Sequence, residues 1–179
     1  VFDCSFDLMA PSLGAEQYQQ AHIPGARYAD VNQDLSAAAD DQAASGGRHP
    51  LPSRQRFAAW LGKQGVANNT QVVVYDRNGV NYCGRLWWML KWAGHDAVAV
   101  LDGGWHAWLA IDGASASGAQ AAAAPGHFAL QAPLRPLVSA EQVAQRLGQP
   151  GQTLLDARAR PRYRGEVEPL DPVAGHIPG

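Results

Sequence analysis

Four arginines at alternate positions, Arg158, Arg160, Arg162 and Arg164, form the densest run of chemistry-bearing side chains in the sequence. In an extended segment their guanidinium groups would point to one side and could hold a small anion, since each offers a fixed fork of donors. For Arg160 and Arg164 the plainer reading is a solvated, charged loop. Cys4 and Cys83 are the only thiols. Cys83 lies close to the segment after Asp76 and is a candidate nucleophile, but it opens a helix of bulky apolar residues, where a free cysteine is most often a small buried hydrophobe. Cys4 is read the same way. Two such cysteines form neither a disulfide framework nor a metal-ligand cluster, which favours a reducing compartment and so a cytoplasmic protein.

The chain of 179 residues is 46% apolar and 17% charged, with a formal charge of −2 and a pI near 6.3. That balance offers no basic footprint for nucleic acid or an anionic membrane. Apolar stretches such as Leu86–Leu90 fall far short of the roughly 20 residues that span a bilayer, and no charged-then-apolar leader opens the chain. No membrane partner is expected.

The elements that must position these residues alternate between strand and helix. Val1–Cys4 reads as a short buried strand and Ala15–Gln20 as a polar helix. Gln71–Tyr75 is a β-branched run of the kind covered on both faces, and Val98–Leu101 is a shorter example. Ser53 can cap a helix carrying Phe57, Trp60 and Leu61, with Gly65 to end it. Gly84–Ala93 and Gly104–Ile111 have helical spacing. The class is α/β with a mainly parallel sheet flanked by helices. Residues 113–138 are rich in Ala, Gly, Ser, Gln and Pro and read as a connector. After it come a capped helix start, Ser139–Gln142, with Val143 and Leu147 as its apolar stripe, and an expected strand at Thr153–Asp156.

An internal repeat organises the whole. Asp3 precedes His22-Ile-Pro-Gly25 by 19 positions, and Asp156 precedes His176-Ile-Pro-Gly179 by 20. A strand-end Asp followed by the same tetrapeptide marks one fold unit used twice. The expected division is a first domain at 1–112 without its opening helix, a linker at 113–138, and the truncated start of a second domain at 139–179.

Four stretches in the first copy, His22–Ala26, Arg48–Pro52, Gly84–Met89 and Leu101–Trp105, together resemble the tandem rhodanese family of thiosulfate and 3-mercaptopyruvate sulfurtransferases. A fifth, running from Asp156-Ala-Arg158 through Arg162–Gly165 to Gly175–Gly179, resembles the opening of that family's catalytic second domain. The resemblance implies a persulfide mechanism: a cysteine thiolate takes sulfane sulfur from a small anionic donor and passes it to cyanide or a thiol, with no metal or organic cofactor. A loop of N–H groups at a helix N-terminus suits both a thiolate and an anionic substrate.

By the same resemblance Asp76 stands where the nucleophile would be, so the first domain is expected to be silent and the reactive cysteine to lie beyond the 179 residues. Arg162 matches the substrate-binding arginine, with Arg158 a weaker candidate. A second arginine expected after Glu168-Pro169 is replaced by Leu170, which shifts the expected donor towards thiosulfate. His49 matches a histidine at the domain interface with a relay role, although its acidic partner position is Asn32; Asp30 and Asp34 are alternatives. His22 and His176, used in both copies, are read as structural, as are Asp3, Asp156 and Asp102-Gly103-Gly104. The six tryptophans are read as packing. The competing function is a non-catalytic module that binds a partner, and self-association through 139–179 would cover Val143, Leu154 and Leu155.

Overall fold

The computed structural model describes residues 1–38, 42–121 and 124–178, so Gly179 of the second repeat lies outside the described residues. The chain forms two compact units, one from Val1 to Pro136 and the other beginning at Leu137.

The first unit is a four-stranded parallel sheet in the order β2-β1-β3-β4, where β1 is Phe2–Asp3, β2 Arg27–Tyr28, β3 Val72–Tyr75 and β4 Val98–Val100. Register pairs Asp3 with Tyr28 on one side and Tyr75 on the other, and Val74 with Val100. Central β3 is the β-branched run, and its Val72 and Val74 are buried in the main core. Helices α1 (Leu13–Gln20), α2 (Arg54–Lys63), α3 (Cys83–Trp92) and α4 (Gly104–Ala110) alternate with the strands. α2 starts where Ser53 Oγ accepts the Arg56 N–H at 3.2 Å. α3 buries Leu86, Met89 and Leu90, the spacing of one helical face.

Of the connector read at 113–138, the described residues up to Pro136 are strapped onto this unit as irregular backbone. Phe128 is buried in the main core. Asn68 holds Ala129 with both halves of its amide, accepting its N–H at 2.9 Å and donating to its carbonyl at 2.8 Å. Ala116 exchanges both backbone hydrogen bonds with His22. Such an attachment leaves no periodic signature, because side-chain amides and single apolar anchors do the holding.

In the second unit α5 (Ala140–Arg146) carries the expected box, in which Ser139 Oγ accepts the Gln142 N–H and Gln142 Oε1 accepts the Ser139 N–H. The strand expected at Thr153–Asp156 is not formed: among the described residues nothing pairs with it. A strand needs a neighbour for its N–H and C=O groups, and β1, its counterpart, has one on each side. Leu155 is accordingly 84% exposed. Arg160–Tyr163 forms a helical turn, α6. Among the described residues no helix is long and apolar enough to cross a membrane.

Candidate functional site

β3 ends at Tyr75, Asp76 follows it directly, and α3 begins seven residues after Asp76 at Cys83. The intervening loop turns its N–H groups inward onto the Asp76 carboxylate. Oδ1 accepts from Asn78 at 2.8 Å and Val80 at 2.9 Å; Oδ2 accepts from Tyr82 at 2.8 Å and Cys83 at 2.9 Å. This is an anion cradle of oriented backbone dipoles next to a helix start, and the chain fills it with its own carboxylate. Asp76 is 1% exposed, so no incoming anion shares the site. The cradle in the first copy is thus occupied outright by a side chain of its own loop.

Neighbouring elements close around this loop. The Asp76 carbonyl accepts the Trp105 N–H at 3.0 Å, and a Cβ on Gly104 would lie 2.4 Å from that same oxygen. Gly104, at φ +55°, is therefore required for the close approach of α4. Asp102 is exposed and does not cap this turn; the backbone closes it through the Gly104 N–H and the Leu101 carbonyl. Arg77 lies over the Trp105 ring at 4.4 Å, pairs with Asp3 at 3.6 Å and donates to the carbonyls of Gln17 and Ala21. Asp3 in turn accepts from the Ser5 N–H and hydroxyl.

Both thiols are buried. Burial, then the Asp76 charge and a hydrogen bond to that carboxylate, pushes the Cys83 thiol up to about 12; burial likewise raises Cys4, with Cys83 as the next contributor. Both shifts disfavour the thiolate near neutral pH, which counts against Cys83 as a substitute nucleophile.

His49 stands at the rim of the same region. Phe6 presents edge contacts to both His49 and Tyr82, at 5.8 and 5.2 Å. Partial burial, then the charges of Arg85 and Arg48, lowers the His49 pKa, which favours the neutral ring. Arg85 donates to the His49 and Leu35 carbonyls and so fixes the loop that carries the imidazole. The two alternative acidic partners are engaged in their own turn: Asp30 accepts the Asn32 and Gln33 N–H groups, and Asp34 accepts that of Asp30.

In the second unit the arginines do not line one side of an extended segment. Residues 160–163 are helical, and in a helix alternate positions point apart. Arg158 and Arg162 converge instead on Glu168. Arg162 grips it through Nε at 3.1 Å and Nη2 at 2.8 Å and also reaches Asp171 at 2.8 Å; Arg158 reaches Glu168 at 3.5 Å and Asp156 at 2.6 Å. The Arg158 contact pushes the Asp156 carboxyl down to about 2, and Glu168 is lowered by its hydrogen bond to Arg162. Arg164 is turned to Glu166. Asp156, Arg158, Asp171 and His176 line a cavity of about 770 Å³ with Leu155, Val173 and Ile177.

The repeat reappears in three dimensions through a pair of residues that the sequence motif did not include. His22 stacks on Tyr18 at 4.1 Å and His176 on Tyr163 at 4.0 Å, with interplanar angles of 15° and 16°. Each Nδ1 lies 2.7 Å from the carbonyl of its own tyrosine. A carbonyl only accepts, so the proton sits on Nδ1 in both. In the first copy Nε2 is left to accept from Gln120 at 2.8 Å. The structural role expected of both histidines follows from this shared geometry. The tyrosines escaped notice because they precede the histidines by 4 and 13 positions, so no common spacing marks them. Glu168 was missed as the arginines' anchor for the same reason: it lies across a loop with no periodicity.

Comparisons with known proteins agree with this architecture. The family described as Rhodanese-like domain matches residues 6–111. The chain is 48% identical over 180 residues to a Pseudomonas aeruginosa protein named "Probable 3-mercaptopyruvate sulfurtransferase", covering all of the chain and 62% of that protein. It is 33% identical over 184 residues to the Mus musculus thiosulfate sulfurtransferase, covering all of the chain and 60% of that protein. The 3-mercaptopyruvate sulfurtransferase from Leishmania major superposes with a TM-score of 0.80 at 31% identity, over 98% of this chain and 48% of that one. The chain thus spans about three fifths of the length of these two curated relatives. With a parallel α/β sheet, a loop of inward N–H groups at the end of β3 and a family match over more than half its length, the chain belongs to the rhodanese-like domain family.

Proposed function

We propose that this chain is the silent first domain and the opening of the catalytic second domain of a sulfurtransferase, which moves sulfane sulfur from thiosulfate or 3-mercaptopyruvate to cyanide or a thiol. The observation that carries the reading is the asymmetry between the two copies. The first fills its anion cradle with Asp76, whereas the second brings Arg158 and Arg162 together beside a cavity. The nucleophile is a cysteine in a continuation of the chain, at the second-copy counterpart of Asp76. Its thiolate attacks the sulfane sulfur of thiosulfate; a new S–S bond forms, the old one breaks, and sulfite leaves with the bonding electrons. Cyanide or a thiolate then takes the outer sulfur and returns the thiolate. Arg162 binds the donor's anionic group. The relatives' names, which cite both donors, support the class of reaction.

Thiocyanate formation from thiosulfate and cyanide tests this. The 179-residue chain is expected to give none and the chain extended through its second domain to give turnover that Arg162→Gln weakens. Turnover in the short chain that survives Cys83→Ala would overturn the reading. An extension lacking a cysteine at the second-copy strand end would favour a partner-binding module, the reading that Asp76 in the first copy also permits.

A further inference from the structure

Arg162 reaches the cavity through Asp171, a lining residue that its guanidinium holds. Its Nη2 is shared between Glu168 and Asp171, both at 2.8 Å. The two acids are held very differently. Glu168 is 5% exposed, and besides Arg162 it accepts the Leu170 and Asp171 N–H groups at 3.1 Å and Arg158 at 3.5 Å. Asp171 has a side chain 49% exposed, and it lines the cavity with Arg158 and His176. Charge balance adds a constraint: two guanidinium groups face three carboxylates, Asp156, Glu168 and Asp171, so the cluster carries an excess negative charge. As it stands it repels an anion, and an anion that binds Arg162 must replace one of the three.

We infer that Asp171 is the displaceable acid, a built-in stand-in for the donor's carboxylate or sulfonate on Arg162 and hence a specificity-determining residue of the second unit. Glu168 keeps the guanidinium oriented through Nε and Nη2. Rotation of the half-exposed Asp171 side chain into solvent frees Nη2 towards the cavity without moving the backbone that Glu168 anchors. The anion taken up is small and singly or doubly charged, since it replaces one carboxylate. A weakly charged ligand gains too little from Arg162 to evict Asp171, so the device discriminates against neutral thiols at the donor step. This inference rests on the proposed anion-binding role of Arg162.

The test is a titration of the 179-residue chain with sodium thiosulfate, followed by calorimetry throughout and by the Arg162 Nε–H resonance wherever that arginine is present, and repeated with Asp171→Asn, Asp171→Glu, Glu168→Gln and Arg162→Gln. Asp171→Asn should bind up to about fivefold tighter than wild type, the size of one exposed ion pair released from competition, with the gain shrinking as salt rises. Asp171→Glu should restore the weak wild-type affinity, and Glu168→Gln should weaken binding by loosening the guanidinium. The ring-shifted signals of His176 on Tyr163 report that each variant is folded. If Asp171→Asn titrates like wild type while Arg162→Gln abolishes binding, the inference fails and the role of Arg162 stands. If Arg162→Gln binds as wild type does, or neither wild type nor Asp171→Asn binds, the role of Arg162 fails and the inference with it.

Discussion

The carboxylate of Asp76 accepts the backbone N–H of Cys83 at 2.9 Å, so the residue that follows β3 caps the helix that begins with the chain's second thiol. The same contact settles two questions of chemistry at once. It fills the cradle that would bind an anion, and it places a negative charge beside a thiol already disfavoured as thiolate by burial.

Asp76→Ala should therefore destabilise the first unit rather than merely empty a site. It leaves four inward N–H groups without their acceptor, and with about 1–3 kcal/mol for each buried group left unsatisfied, partly relieved by water, a net loss of about 2–4 kcal/mol is expected in urea unfolding. Asp76→Asn, which keeps one oxygen, should fall between. A loss below about 0.5 kcal/mol would show that the loop is held by other contacts.

Alkaline stability should follow the Cys83 thiol. Its pKa is raised on folding from 9.0 to about 12, so folding disfavours the thiolate. The stability it contributes is fully present below pH 9 and is lost as pH rises towards 12. Tyr28 and Tyr75, raised mainly by burial, act with the same sign. Cys83→Ala should flatten the decline between pH 9 and 11 without abolishing it, as measured by denaturant midpoints across that range. In the native state at pH 8 neither thiol should react with a disulfide reagent, and both should react in urea.

The two stacked histidines should differ in weight. His22 is fully buried, with hydrogen bonds at both ring nitrogens, and His22→Ala should cost about 2–4 kcal/mol. His176 is exposed, and the matching substitution should leave the first unit's unfolding midpoint unchanged. Its effect should be confined to the Tyr163 ring environment, read by NMR. A comparable loss at both positions would mean that the units unfold as one.

Phe128→Ala tests the strap. Removing a buried aromatic anchor should cost about 3–4 kcal/mol and expose the segment after Gly118 to proteolysis. Unchanged stability would leave residues 113–136 as a connector in behaviour as well as in composition.

Much of the first unit was legible in the sequence because its determinants are local. The β-branched run at 72–75, the Ser53 cap and the apolar stripe of α3 all announce themselves within a few residues. The expected strand at 153–156 has the same local pattern and did not form, because a strand is completed only by a neighbour. The attachment of residues 113–136 was hidden for a related reason: Phe128 and the Asn68 amide act across some sixty positions.

The sequence by itself determined the α/β class and the repeat, since each rests on residue type and order. Only the tertiary structure decided what Asp76 does, because the direction of four backbone N–H groups depends on how the loop closes between β3 and α3. It likewise decided that Arg162 shares its charge with Glu168 and Asp171. Ion pairs across a loop obey distance in space, and no spacing along the chain encodes it.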